Sequence, residues 1–437
     1  LHLLSRRQRQ MCIRDRLSII TLVLLITFVT SFNYFKTSNT YVENNSNNQT
    51  KITKGISMNL EQTAGAGDYK QVTQSSWPTE GYKFNAELSR CENGSTLSWD
   101  DTKKAVIVSG NLSDKCYVYF DIYQPTLAEY IKSQYTGTQG DNALYYHNST
   151  LKNGAGDNSY RYAGANPNNF VCFGSDTSPC PTDNLYRIIG VFGENYHGVT
   201  GKQLVKLIKY DYMTTDELGT DGDYSQTYKE WGMDSTYKGT YGDGERIGVY
   251  YWNYKATGSA TNTWSTSLLN KTNLNTNFIN NIGTTWANKI ATVTWKVGGN
   301  IFVNIGDVVP ATTYQNEIVN PVTTNTTDNA TTYSAKIGLM YVSDYGFAAS
   351  PDAWTLTMSS YNNTTATNNN WLYMGLFEWT ISRTAGDSLG ADDVRSAGGL
   401  GTLSVSYYRG VRASFSLESS VSYVSGSGSM SDPVRIN

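Results

Sequence analysis

The sequence predicts a β-rich α+β protein: an N-terminal apolar segment, a small β-sandwich and then a larger domain with long loops. The 437 residues include 33 Tyr, 10 Trp and 39 Gly. Aromatic and β-branched residues occur in short runs that Gly, Asn and Asp interrupt, which is typical of strands joined by turns. The length after the N-terminal segment fits two or three domains of about 100–200 residues each.

Residues 1–16 resemble translated sequencing-adaptor read-through and end in the run Met11-Cys12-Ile13-Arg14-Asp15-Arg16. We expect this segment not to belong to the protein. Residues 17–35 carry no charge and are long enough to cross a bilayer, at the lower end of the usual range of about 17–25 residues. A cleaved signal peptide is the alternative. No clear Ala-x-Ala follows Phe35, so an uncleaved transmembrane anchor is favoured, with the rest of the chain outside the cell.

Residues 36–55 are rich in Asn, Ser and Thr and cannot bury a core, so they predict a polar stalk. Residues 56–124 then contain short β-type runs at 81–84, 95–99, 105–109 and 116–120. Turn signals such as Asn93-Gly94 separate these runs. The sequence therefore predicts a small antiparallel β-sandwich over residues 56–124.

Four cysteines follow the apolar segment: Cys91, Cys116, Cys172 and Cys180. An even number of cysteines outside the membrane indicates disulfides, and sequence proximity favours Cys91 with Cys116 and Cys172 with Cys180. Free buried thiols are the alternative. Zinc is disfavoured because neither pair has the usual close spacing and no His lies near them.

Residues 125–437 predict the second domain. Leu127, Tyr130 and Ile131 share one face of a short helix. Residues 137–169 form a long polar stretch with several tyrosines, which predicts a functional loop. Strands are predicted at 186–192, 203–209, 336–342, 371–382, 403–408 and 412–417, and a helix over 274–290.

Several patterns bear on chemistry. Lys and Arg total 34 against 37 Asp and Glu, so no basic surface for nucleic acid is expected. His147 and His197 lie in polar segments with no partner nearby in sequence, and we interpret both as surface-loop residues. Carboxylates beside glycines could hold Ca²⁺, although ordinary acidic turns are the simpler interpretation; they are Asp216, Asp221, Asp223, Asp243 and Glu245. No other metal or cofactor is expected.

Tyr, Asn, Trp and Arg dominate the later loops. Tyr gives contact area at low entropic cost, Asn gives adaptable hydrogen bonds, and Arg beside Trp can hold a sugar or peptide. The predicted ligand-binding residues are Tyr361, Asn362, Asn370, Trp371, Tyr373, Trp379, Arg395, Tyr407, Tyr408 and Arg409. For Arg383 and Arg412 a structural role is favoured. A low-charge surface encoded by an AT-rich genome is the alternative for the loops.

A set of ordered blocks resembles a known family. The blocks are 186–190, 205–208, 252–253 with 264–278, 337–343, 379–383 and 410–415. Together they resemble an uncharacterised C-terminal domain of surface proteins from gut Gram-positive bacteria. That domain is distantly similar to the C-type-lectin-like fold of formylglycine-generating enzymes. Ala413 stands where Pro is usual, and Thr380-Ile381 where Leu-Arg is often seen.

The resemblance implies a mixed sheet and helix scaffold whose variable loops bind ligands. It implies no catalytic residues, because none is established for that domain. The cysteine pair of formylglycine-generating enzymes has no counterpart near the C-terminal end of this sequence, so an oxidase function is not supported. The expected function is that of a membrane-anchored, extracellular, non-catalytic adhesin for a glycan or protein. Two alternatives are a self-associating surface-layer component and a cell-wall-modifying hydrolase, which needs a carboxylate pair or metal site in one cleft.

Overall fold

The computed structural model describes residues 55–437 except 74–75, 79–80, 112, 194–195, 197–200, 233–235, 257–259, 301–304, 322–330 and 363. The predictions for residues 1–35, for the stalk up to residue 54 and for His197 lie outside the described residues. Within the described part of the chain, no helix is long and apolar enough to span a bilayer. The chain divides into two compact units, which meet in sequence between Gln124 and Pro125.

The described residues of the first unit are all-β. Its strands are β1 Ile56–Glu61, β2 Tyr69–Val72, β3 Tyr82–Phe84, β4 Arg90–Cys91, β5 Thr96–Asp100, β6 Ala105–Ser109 and β7 Cys116–Ile122. Strands β1 and β7 run parallel in the middle of a sheet of order β2-β1-β7-β3, with β4 also paired to β7, and β5 and β6 form a separate hairpin.

The core of the first unit is built around Phe120. Its ring centroid lies 5.9 Å from those of Trp77 and Phe84 and 5.7 Å from that of Trp99. Because Trp99 belongs to the hairpin, this contact packs the hairpin on the sheet. Cys91 and Cys116 lie opposite each other on β4 and β7 and are disulfide-bonded, which confirms the predicted pair.

The second unit mixes strands with short helices. Its strands are β8 Leu144–Tyr146, β9 Tyr160–Tyr162, β10 Phe170–Cys172, β11 Leu185–Phe192, β12 Leu204–Lys209, β13 Tyr224–Thr227, β14 Gly248–Tyr251, β15 Val293–Lys296, β16 Gly299–Asn300, β17 Thr332–Ala335, β18 Ile337–Gly338, β19 Glu378–Thr384, β20 Gly390–Val394, β21 Leu400–Ser404, β22 Tyr408–Arg409, β23 Ser414–Ser416, β24 Tyr423–Ser425 and β25 Arg435–Ile436. The predicted β-rich α+β class is therefore confirmed.

The helices of the second unit are short. They are α1 Leu127–Ser133, α2 Thr215–Leu218, α3 Tyr228–Trp231, α4 Ile279–Ala287, α5 Pro310–Tyr314, α6 Val342–Ala348 and α7 Thr364–Asn368. π-Helical segments cover Leu269–Phe278 and Gln315–Val319, and single 3₁₀ turns lie at Asp141–Ala143, Thr182–Asn184, Trp264–Thr266, Ile305–Asp307, Pro351–Thr355 and Met358–Asn362. Helix α1 begins at a capping box in which Thr126 and Glu129 bond each other's backbone N–H.

A sheet of order β18-β23-β12-β11-β9-β8, with β10 also paired to β11, forms the centre of the second unit. Every residue of β11 and β12 is buried, as expected for strands covered on both faces. Two further sheets, β13-β14-β22 and β16-β19-β20-β21, contribute to the rest of the unit. The second predicted disulfide, Cys172 with Cys180, is also confirmed.

Three element predictions were wrong in detail. The predicted strand at 336–342 is only the two-residue β18, because the Asp344 carboxylate accepts the Tyr341 N–H and starts helix α6. The predicted strand at 371–382 begins only at Glu378. The polar stretch 137–169, expected to lack regular structure, contains β8 and β9, which pair with each other.

Candidate functional site

Six of the ten predicted ligand-binding residues are buried in the core, which corrects the prediction for them. These are Tyr361, Asn370, Trp371, Tyr373, Trp379 and Arg409. The Tyr361 hydroxyl donates to the Gly346 carbonyl at 3.0 Å, and the Trp371 indole N–H donates to the Tyr162 carbonyl at 2.9 Å. Large aromatic side chains in the Asn-rich loops gain more free energy by packing inward than by remaining in water.

The other four predicted residues reach the surface. Asn362, Arg395 and Tyr407 are exposed, and Tyr408 is half-buried. Of these, Tyr408 contacts other partly exposed aromatic side chains, and this contact leads to the candidate site.

An aromatic row lies on the surface of the second unit. We define it as Phe377, Trp231, Tyr408, Tyr251 and Tyr254, in order of contact. The successive ring centroids are 5.5, 5.3, 5.8 and 4.8 Å apart. Tyr254 is 45% exposed and the other four are half-buried. Five contacting rings that all keep some accessible surface form a continuous aromatic strip.

A strand pair and a short helix position three of these rings. Tyr251 on β14 lies directly opposite Tyr408 on β22, so their side chains share one face of the sheet. Trp231 ends helix α3, which begins at the Thr227 capping box. Gly232 then takes a positive φ of 99°, a conformation that favours glycine and stops the helix.

A buried carboxylate holds the Tyr254 end of the row. The Asp223 carboxylate accepts the backbone N–H groups of Tyr254, Lys255, Leu268 and Leu269 at 2.8–3.1 Å. These four N–H groups occupy the lone pairs of the Asp223 carboxylate oxygens with which it would otherwise bind a cation. Asp223, one of the predicted calcium ligands, therefore serves the backbone instead.

The remaining acidic residues of the calcium hypothesis do not converge. Glu245 pairs with Lys229, and Asp221 accepts a hydrogen bond from Asn277. Asp216 lies 3.8 Å from Arg246. Among the residues that the structure describes, no group of three or more His, Cys, Asp or Glu side chains could hold a metal ion.

Arg409 supports the aromatic row from beneath. Its guanidinium lies 4.5 Å from the ring centroid of Phe377 and 5.3 Å from that of Trp231, within the range of cation–π attraction. Its Nε donates to the Asp393 carboxylate at 2.7 Å. Burial raises the pKa of Asp393 above its usual range although Arg409 lies beside it. Arg409 is thus a positioning residue and not a ligand contact.

His147 corrects the prediction of a surface-loop histidine. It is fully buried between the rings of Phe347 and Trp354, and its Nδ1 accepts the Ala155 N–H at 3.0 Å. Burial lowers its pKa to about 3, so the imidazole is neutral at physiological pH.

The structural interpretation of Arg412 fits its contacts. Its Nε and Nη2 donate to the two carboxylate oxygens of Glu378, both at 2.8 Å, within the core. Arg383 donates through Nε to the Val297 carbonyl at 2.7 Å. Both arginines therefore hold buried backbone or side chains in place.

A charged cluster in the core was not predicted. It consists of Asp157, Arg161, Lys206 and Asp344; the last three are buried, and the Asp157 side chain is 7% exposed. Arg161 donates to Asp157 at 2.7 Å, and Lys206 contacts Asp344 at 2.5 Å. Although burial alone would raise it, the pKa of Asp157 is lowered to about 2 by the neighbouring Arg161 charge. A strand over 203–209 was predicted, but no pattern in the sequence pointed to Asp344 as the partner of Lys206.

Four members of the aromatic row were also missed: Trp231, Tyr251, Tyr254 and Phe377. Two signals could have found them. One is Trp231-Gly232 at the end of a short capped helix, and the other is the run from Tyr250 to Tyr254, in which aromatic side chains point alternately to the two faces of a strand. Comparison of the chain with protein-family models, curated proteins and solved structures gives no match.

A second surface feature is a cleft of about 410 Å³ beside the Cys172–Cys180 disulfide. Trp286, Asp432 and Arg435 contribute to its lining, but Trp286 is only 8% exposed. Its one arginine and its carboxylates do not favour a ligand of either charge. The aromatic row offers more accessible ring surface and is the stronger candidate.

Proposed function

We propose that this chain is a non-catalytic, extracellular recognition protein that binds carbohydrate through the aromatic row. The observation that carries the proposal is the unbroken strip of five partly exposed rings. Exposed aromatic surface is unfavourable in water, and large accessible apolar patches commonly mark binding sites. Ring faces pack on the apolar faces of sugars, while tyrosine hydroxyls remain able to hydrogen-bond.

The support beneath the row favours recognition. Arg409 is fixed by Asp393, and Tyr254 is fixed through Asp223, so the rings are pre-positioned and lose little freedom on binding. The resemblance to lectin-like surface domains points the same way. Flexible side chains would lose more conformational entropy on binding, and the affinity would be lower.

The location is part of the proposal. Residues 17–35 supply an uncharged apolar segment long enough for an anchor, and the two disulfides fit an oxidising compartment. We accordingly propose that the two units lie outside the cell and that the row faces an external ligand.

A glycan array probed with the detergent-solubilised full chain tests the proposal. The expected result is saturable binding to a subset of glycans. Tyr408→Ala should weaken it about tenfold or more, the loss of roughly 1.4 kcal/mol expected for an aromatic contact at the centre of a site. Tyr254→Ala, at the end of the row, should weaken it as well. Tyr117→Ala in the first unit is the matched control and should bind as the unmodified chain does.

Other outcomes separate the alternatives. Binding to a protein array that requires Tyr408, without glycan binding, would assign a protein ligand to the same row. Ordered self-assembly that Tyr254→Ala disrupts would indicate a surface-layer component. Turnover of peptidoglycan that a single carboxylate substitution abolishes would replace recognition with hydrolysis.

A further inference from the structure

The ion pair of Lys206 and Asp344 is the most enclosed pair of opposite charges in the described core. The Lys206 Nζ lies 2.5 Å from the Asp344 Oδ2, and both side chains are 0% exposed. Lys206 belongs to the central strand β12, and Asp344 lies in the first turn of helix α6. An ammonium and a carboxylate removed from water carry a large desolvation cost.

Polar groups surround the carboxyl group on both oxygens. The Tyr196 hydroxyl donates to Oδ1 at 2.6 Å, and the Tyr341 backbone N–H donates to Oδ2 at 2.9 Å. The Arg161 guanidinium lies 3.8 Å from Oδ1. These donors lie where negative charge would develop if a nucleophile added to the carboxyl carbon.

Aromatic rings enclose the amine. The Lys206 Nζ lies 4.4, 5.0 and 5.1 Å from the ring centroids of Tyr341, Tyr196 and Trp295. Such a wall keeps bulk water away from the pair. Burial lowers the pKa of Lys206 to about 8, so the neutral amine is much more accessible than for a lysine in water.

We propose that Lys206 and Asp344 condense to form an intramolecular amide bond that links β12 to α6. Nζ adds to Cγ of Asp344, the C–N bond forms, and the bond from Cγ to Oδ2 breaks. Two of the three ammonium protons pass to Oδ2, which leaves as water, and the third remains on the amide nitrogen. The ion pair therefore supplies every atom and proton, and no oxidant or co-reactant is needed.

Two physical effects drive the reaction. Holding the groups in contact replaces a bimolecular encounter, and well-oriented intramolecular reactions reach effective concentrations of about 10⁵–10⁸ M. The product is a neutral amide, so the desolvation cost of two buried charges disappears. Tyr196 and Arg161 stabilise the oxyanion on Oδ1 in the intermediate.

The neighbouring pair of Lys209 and Glu217 provides an internal comparison. Lys209 also bonds the Asp183 carbonyl, and the Glu217 side chain is 14% exposed and caps helix α2. The Glu217 carboxylate is thus partly open to water and accepts the backbone N–H and the hydroxyl of Thr214. No amide is expected there.

Mass spectrometry of the reduced full chain tests the proposal. The expected mass is lower than the sequence mass by one water, and trypsin should fail to cleave after Lys206. The digest should contain a branched peptide that joins Lys206 to the Asp344 segment. A full sequence mass with cleavage after Lys206, or a water loss mapped elsewhere, would overturn the proposal.

Variants identify the chemistry. Asp344→Asn should still form the amide but release ammonia, so the deficit changes from the mass of water to that of ammonia. Lys206→Arg should show the full mass, whereas Lys209→Arg, the matched control, should keep the water deficit. Since the deciding measurement uses the unmodified chain, poor folding of a variant leaves the proposal testable.

Discussion

The charged core cluster and the aromatic row combine the same residue types and differ in exposure. The Arg161 guanidinium lies 4.7–5.4 Å from the ring centroids of Phe192, Tyr196, Tyr314 and Phe347, and these rings are buried. Arg409 lies 4.5–5.8 Å from three rings, two of which reach the surface. An arginine among aromatic rings therefore does not by itself indicate a binding site. Access to the free ring faces decides which role it serves.

The largest effect should come from breaking the buried cluster. Arg161→Met removes the charge partner of the Asp157 carboxylate, whose side chain is only 7% exposed, and we expect a loss of about 3–5 kcal/mol in the free energy of unfolding. Denaturant titration followed by tryptophan fluorescence measures it. The control is Arg246→Met, which breaks an arginine–aspartate pair whose members are each 46% exposed and should cost at most about 1 kcal/mol. Equal losses in the two variants would show that burial does not distinguish them.

A smaller loss is expected beneath the aromatic row. Arg409→Met removes the donor to the buried Asp393 carboxylate, and an unsatisfied buried polar group costs about 1–3 kcal/mol. Ligand binding should weaken as well, because Phe377 and Trp231 lose their support. Arg246→Met, whose ion pair with Asp183 is exposed, is the control here too; it should cost at most about 1 kcal/mol and leave binding unchanged. Unchanged binding by Arg409→Met would contradict the supporting role.

The stability of the core should also depend on pH. Burial raises the pKa of Glu317 from 4.5 to about 8, so the folded chain binds a proton there that the unfolded chain releases. Stability should be complete below pH 4.5 for this group and fall as pH rises toward 8, by at most about 1.4 kcal/mol per pH unit. Glu317→Gln should remove this slope. The measurement is the free energy of unfolding from about pH 5 to about pH 8, which is roughly the range between the two pKa values of Glu317. If the pH dependence persists in the variant, another group causes it.

The smallest stability effect belongs to the end of the row. Tyr254 is 45% exposed, and substitution of such a residue usually changes stability by no more than about 0.5 kcal/mol. Tyr254→Ala should therefore unfold almost as the unmodified chain does while losing ligand affinity. Buried Tyr361, in the same titration, should lose much more stability on substitution by Ala because its hydroxyl bonds two core carbonyls. Similar losses for both tyrosines would remove the distinction between row and core.

The strands and cysteines were the parts of the fold that sequence could predict. Strand β12 could be predicted because apolar residues occupy both of its faces: Leu204 lies on one, and Val205 and Leu207 lie on the other. Both disulfides could be predicted because the paired cysteines are close in sequence. These features depend on residues close together in the chain. Helix α6 was not visible, because its start depends on the Asp344 carboxylate bonding Tyr341 within a run that is otherwise β-like.

The site was harder to predict than the fold. Tyr361 and Tyr408 both lie in polar loop sequence, yet one is fully buried and the other is half-buried. Residues from positions 231, 251, 254, 377 and 408 meet in the row only through tertiary packing. Local composition contains no information on such distances, so it identified the residue types of the site but only one of its members.

The contacts at the start of the second unit, at residues 125–130, have a practical consequence. The Leu127 N–H bonds the Val421 carbonyl at 2.8 Å, the Tyr423 N–H bonds the Pro125 carbonyl at 2.9 Å, and the rings of Tyr130 and Tyr423 stack 3.7 Å apart. Two backbone hydrogen bonds and one ring stack therefore hold the first segment of this unit against strand β24 and the residues before it. A new linker joined before Pro125 should therefore transmit little strain into the unit, because these bonds hold its first segment in place.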